Sequence, residues 1–117
     1  MITVKKINDI PVIPYANGAQ KRVVLGRKEG VPNFVMRVFD VAPGGASSHH
    51  NHPFEHEVMI LQGEATLKGE GFEQKVAVGD AFYIPANDQH VLLNKGPETL
   101  RFVCLVPLSG EEDDLPK

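Results

Sequence analysis

Four of the five histidines fall at fixed offsets in two short segments. The first segment runs Gly44-Gly45-Ala46-Ser47-Ser48-His49-His50-Asn51-His52-Pro53-Phe54-Glu55-His56-Glu57 and on to Gly63. The second runs from Gly79 through Pro85-Ala86-Asn87-Asp88-Gln89-His90 to Asn94. Side chains on a strand alternate faces with a period of two. His50, His52 and His56 share one parity, so an unbulged strand points all three to one side, and His90 joins them from a second segment. Neutral imidazole is the commonest side-chain ligand of transition metals near pH 7. Scattered surface or core histidines would not leave nearly all of the chain's histidine on one pattern. His49 has the opposite parity and reads as a surface or loop residue.

Short strands must carry these residues. Eleven glycines and nine prolines punctuate runs rich in Val, Ile, Phe and Leu, the pattern of many strands joined by turns. Strands are expected over 2–7, 11–14, 21–26, 33–41, 55–62, 64–69, 72–78, 81–84, 89–94 and 99–106. No longer stretch has clean helical periodicity, so the fold class is all-β, a sandwich or barrel that limits exposed sheet edges. The length of 117 residues suits one domain. Phe34–Phe39 and Phe102–Val106 are apolar on both faces. One face can fill a barrel; the other needs a cover, and a homodimer is the economical one.

The two segments resemble the paired motifs of the cupin superfamily. Its first motif is Gly, five residues, His-x-His, three or four residues, Glu, six residues, Gly. Here those positions are Gly44, His50-Asn51-His52, His56 and Gly63. The second motif is Gly, five residues, Pro-x-Gly, two residues, His, three residues, Asn. Here it is Gly79, Pro85-Ala86-Asn87, His90 and Asn94. The resemblance spans about 34–106 and implies a small single-domain cupin of the type-2 kind, a double-stranded β-helix or jelly-roll-like barrel. It would occupy 31–108, with N-terminal strands or an arm over 1–30 and a solvated acidic tail over 109–117. The sequence departs from the motif twice. Asn87 replaces Gly, and Asn is the best non-Gly residue for a left-handed turn. His56 stands where the family has Glu, giving an all-histidine ligand set of His50, His52, His56 and His90; Glu57 becomes the ligand only if a bulge intervenes.

The resemblance implies one divalent transition metal, drawn from Mn, Fe, Ni, Zn, Co or Cu. Four neutral imidazoles leave its full charge in place, which favours anionic ligands, and leave open positions for a small molecule. The function expected is a metal-dependent enzyme acting on a small oxygenated or anionic substrate by dioxygenase, decarboxylase, isomerase or lyase chemistry. The alternative is a non-catalytic small-molecule or metal-binding module. Catalytic candidates are Tyr83 as a proton donor, Glu57 as a proton-transfer group or a support to the ligands, and Arg37, which could bind a substrate carboxylate if it faces inward. The plainer reading of Arg37 is a surface or interface residue. Cys104 reads as core. A net charge of −3 without a basic stripe argues against nucleic acid. No apolar run can span a membrane, and a single cysteine with no apolar leader fits a cytoplasmic protein.

Overall fold

The computed structural model describes residues 1–15, 17–47 and 51–114. Among the described residues, nine strands form two antiparallel sheets: β1 Ile13–Pro14, β2 Ala19–Leu25, β3 Phe34–Val41, β4 His56–Gln62, β5 Glu64–Gly69, β6 Phe72–Ala77, β7 Ala81–Ile84, β8 His90–Leu93 and β9 Leu100–Pro107. The larger sheet has the order β1-β2-β3-β9-β4-β7 and the smaller β6-β5-β8. The all-β architecture is thus as the motifs imply. The expected strand over 2–7 is absent. Ile2 and Val4 are almost fully exposed and a 3-10 turn at Ile7–Asp9 follows, so alternation with lysine there lacks a sheet edge to pair with.

The core lies between the sheets. Val35, Val41, Ile60, Leu100, Phe102 and Val106 come from one side and Ala65, Leu67, Val76 and Leu92 from the other. Burial alternates strictly along β9, with Leu100, Phe102, Cys104 and Val106 buried and the residues between them half-exposed. β3 and β4 flank β9 in register, so Arg37 and Val58 both pair with Cys104. Period-two alternation then sends Arg37 and Cys104 to the barrel interior and Met36 and Leu105 to the outer face.

Turn chemistry brings the two motifs together. Gly63 has φ 76°, and a Cβ there would lie 2.9 Å from the Thr99 carbonyl oxygen, so only glycine fits without a shift. Asn87 adopts φ 70°, the left-handed turn expected of it, and its N–H donates to the His52 carbonyl at 2.5 Å. Asn94 is 2% exposed, and its side chain bonds the Val41 and Glu98 carbonyls and the Gly96 N–H. Its backbone exchanges bonds with Gly44 and Gly45.

The segment after β9 folds back over one end of the barrel. A 3-10 turn at Leu108–Gly110 leads into a strap over 111–114. The reading of a solvated tail fails at Glu111 and Asp114, which are 2% and 6% exposed. Arg27 and Lys21 explain it: the Arg27 guanidinium meets Asp114 Oδ1 at 2.5 Å, the Glu111 carbonyl at 2.6 Å and the Leu108 carbonyl, and Lys21 Nζ meets the Glu111 carboxylate at 2.8 Å. A local run of acidic residues resembles a solvated tail until distant cations are folded against it.

Candidate metal centre

Three of the four expected ligands are described, and they converge from separate segments. His56 opens β4, His90 opens β8, and His52 sits in the loop before β4. One ring nitrogen from each falls within 4.8 Å of the others, a spacing that a single ion can bridge. Ring centroids are 5.1 Å apart for His52 and His56, 5.7 Å for His52 and His90, and 5.0 Å for His56 and His90. His50 and His49 lie outside the described residues.

Neighbouring groups orient the rings. His90 Nδ1 lies 2.9 Å from the Asp88 carbonyl oxygen. A carbonyl only accepts, so Nδ1 carries the hydrogen and the lone pair sits on Nε2, the tautomer a metal ligand needs. His52 stacks on Phe54 at 4.8 Å with 12° between the rings. Phe54 is in turn pressed by the 3-10 turn, since a Cβ on Gly110 would lie 2.8 Å from it. His56 Nδ1 lies 3.3 Å from Cys104 Sγ. Burial pushes the Cys104 thiol up, and the Arg37 charge only partly opposes this. Cys104 is thus a neutral thiol at neutral pH, set to accept from Arg37 Nη2 at 3.0 Å.

The histidines line a cavity of about 340 Å³. Phe39, Phe54, Phe102 and Leu92 give it apolar walls, and Lys21, Arg37 and Glu111 bring charge. Arg37 faces inward at 6% exposure, against its plainer reading as a surface or interface residue. Glu57 is exposed on the outer face and Tyr83 is 62% exposed. Neither lines this cavity; Tyr83 borders an outer groove that His90 also reaches. Period-two alternation accounts for Glu57, since its neighbour His56 takes the inward position and no bulge intervenes there. Sequence reasoning missed Lys21 and Glu111. Lys21 gave no clear signal, since it stands between Gln20 and Arg22 in the polar half of β2, and Glu111 gave none.

The donor set fits a divalent transition ion: borderline imidazole nitrogens at the starts of β4 and β8 and in the loop before β4, beside the Phe54 ring. Barrel and paired motifs agree with the comparisons. The sequence profile of the Cupin domain family matches residues 37–106, and the chain belongs to that family. A 1-methylthio-D-xylulose 5-phosphate methylsulfurylase of Rhodospirillum rubrum is 33% identical over 81 residues, 69% of this chain and 52% of that protein. Auxin-binding protein 1 of Arabidopsis thaliana is 26% identical over 114 residues, 88% of this chain and 58% of that protein. The chain thus spans little more than half the length of these relatives. Among solved structures, the polyketide cyclase RemF from Streptomyces resistomycificus superposes with a TM-score of 0.83 at 25% identity, covering 92% of this chain and 80% of that one.

Proposed function

We propose that the chain is a metal-dependent enzyme acting on a small anionic or oxygenated molecule, with His50, His52, His56 and His90 as ligands. The observation that carries this is the convergence of three imidazoles on the wall of a cavity that also holds buried charged side chains. A bound divalent metal would supply Lewis-acid or redox chemistry at positions the histidines leave open. The chain's own residues bind and shield. Phe54, packed on His52 and His56, shields the imidazoles from water, and Arg37 and Lys21 place positive charge where an anion can enter. The cavity is lined by more than apolar groups, which favours an enzyme over a passive holder. The alternative, a non-catalytic binding module, finds support in the relative named as an auxin-binding protein; the relatives' names span too many activities to fix a reaction.

A homodimer is part of this reading. Phe34, Met59 and Tyr83 are 59%, 45% and 62% exposed on the outer face of the larger sheet. Met59 and Tyr83 line a shallow groove there with Met36 and Leu105. Sedimentation should give twice the chain mass of 12.8 kDa. A monomer at micromolar concentration would return that face to solvent. For the enzyme reading, the test is elemental analysis of natively purified protein, followed by calorimetry with hydroxy- and keto-acids on metal-loaded and metal-free forms. One metal per chain, and binding confined to the loaded form, are expected. Equal binding to both forms would remove the metal from the site.

A further inference from the structure

Beyond the histidines, the cavity contains a second constellation. Lys21 on β2 and Arg37 on β3 lie with Glu111 of the strap, their side chains 5%, 7% and 2% exposed. Lys21 is well served: Nζ is 2.8 Å from Glu111 Oε2 and 2.5 Å from Asp113 Oδ2, and 5.6 Å from the Tyr15 ring centroid. Arg37 is not. Its guanidinium lies 5.0 Å from the Phe39 ring centroid, but for hydrogen bonds its Nη1 reaches Glu111 Oε1 only at 3.4 Å, its Nη2 meets the Cys104 sulfur, and its buried Nε has no hydrogen-bond partner among the described residues. A guanidinium is a planar fork built for a carboxylate at about 2.7–2.9 Å. Sulfur is a weak acceptor. Buried donors left short of partners cost free energy, so this fork is made to take a better anion than it now holds.

We propose that Arg37, backed by Lys21, is an anion subsite for the far carboxylate of a small dicarboxylic acid whose near end chelates the metal, and that Glu111 holds the subsite when no such ligand is bound. This rests on reading the histidines as a metal centre. Cys104 Sγ touches both Arg37 Nη2 and His56 Nδ1, at 3.0 and 3.3 Å, so the subsite and the centre are near neighbours in one cavity. A volume of about 340 Å³ lies at the small end of ligand pockets. The exchange is local. Arg27 clamps the strap at Leu108, Glu111 and Asp114 through backbone and carboxylate oxygens, so the Glu111 side chain can swing out while the strap stays docked. Lys21 then keeps Asp113 as its partner. Glu112 and Asp113 also line the cavity and stay with the strap, so it is the Glu111 carboxylate that must give way to an incoming anion. Glu111 therefore competes with the ligand and lowers its apparent affinity by the fraction of time it is bound.

The test is calorimetry on metal-loaded protein with malonate, succinate and glutarate, each against its half-amide. One dicarboxylate should bind at least about tenfold more tightly than its half-amide, the scale of one charge-assisted fork. Arg37→Gln should erase that advantage while metal content is kept, and Glu111→Gln should tighten dicarboxylate binding several-fold. In the unsubstituted protein, saturation should speed hydrogen exchange at the Asp113 amide, which donates to Glu111 Oε2 at 2.9 Å. Equal binding of acid and half-amide throughout the series, or an Asp113 amide unmoved at saturation, overturns the subsite. If a hydroxy-acid still binds only the loaded form, the metal reading survives that failure; a chain that takes up no metal sinks both.

Discussion

β3 carries a charge cluster on each face, and the two are built differently. Outside, Asp40 accepts from Arg101 Nε and Nη2 at 2.7 and 2.9 Å and from Arg22 Nη1 at 2.7 Å. Both oxygens are used and a bidentate fork is complete. Burial raises the Asp40 carboxyl, but the Arg101 and Arg22 guanidinium groups outweigh it and hold Asp40 below the ordinary range. Inside, Arg37 lies over the Phe39 ring, and its hydrogen bonds are one long contact to a carboxylate and one to sulfur. Three residues apart on one strand, Arg37 and Asp40 belong to a cluster with unused binding capacity and a cluster with none. A satisfied network fixes strand order and register. An unsatisfied one beside a cavity is where a ligand finds its place.

The largest expected effect breaks the inner region at its metal end. His52→Ala or His56→Ala should cut metal affinity by more than about 100-fold, since even indirect supports of a ligand are worth about 10–100-fold. His56→Glu should keep metal. Elemental analysis after dialysis checks both, and full occupancy in either alanine variant would dissolve the centre. Metal should likewise be lost as pH falls below about 6, where ordinary imidazole gains its proton and stops being a ligand; retention down to about pH 4 would mean carboxylates hold it.

Next comes the outer cluster. Asp40→Ala strands two half-buried guanidinium groups and should cost about 2 kcal/mol in urea unfolding, with metal content unchanged. The sign with pH follows from the lowered Asp40 carboxyl. Its stabilisation is whole above the unfolded value near 3.9 and drains away as pH falls through the lower folded value. Asp40→Asn should therefore flatten the acid limb of the stability curve below about pH 4, and an unaltered limb would show that Asp40 does not govern it.

Smallest is the effect of Arg37→Gln on stability. Glu111 keeps Lys21 as its partner, so no buried carboxylate is left uncompensated, and unfolding should shift by less than Asp40→Ala costs. A loss exceeding that of Asp40→Ala would reverse the contrast and make the inner cluster structural.

Local rules reached some of this from sequence. Strand parity puts His56 inward and Glu57 outward, and side-chain chemistry puts Asn87 in a left-handed turn. Paired motifs carried the barrel. The same rules failed where a partner lies far along the chain. Residues 2–7 alternate like a strand but have no edge to join. Glu111 reads as one more acid in a polar tail, because the lysine that buries it lies 90 residues away. Arg37 was visible as a charge on an apolar strand, yet parity alone could not say which face the barrel encloses.

That separation of 90 residues bears on the order of folding. Lys21 and Arg37 sit on strands that pair with each other across a short connection, while their shared counterion arrives from 90 and 74 residues away. Contacts so distant in sequence close late, because the loop entropy must be met before they form. Until then the barrel holds two cations without Glu111, and water must stay inside to solvate them. The interior therefore dries in two stages, first around the apolar strands and last beneath the strap, which makes the strap the segment expected to open first in the folded protein.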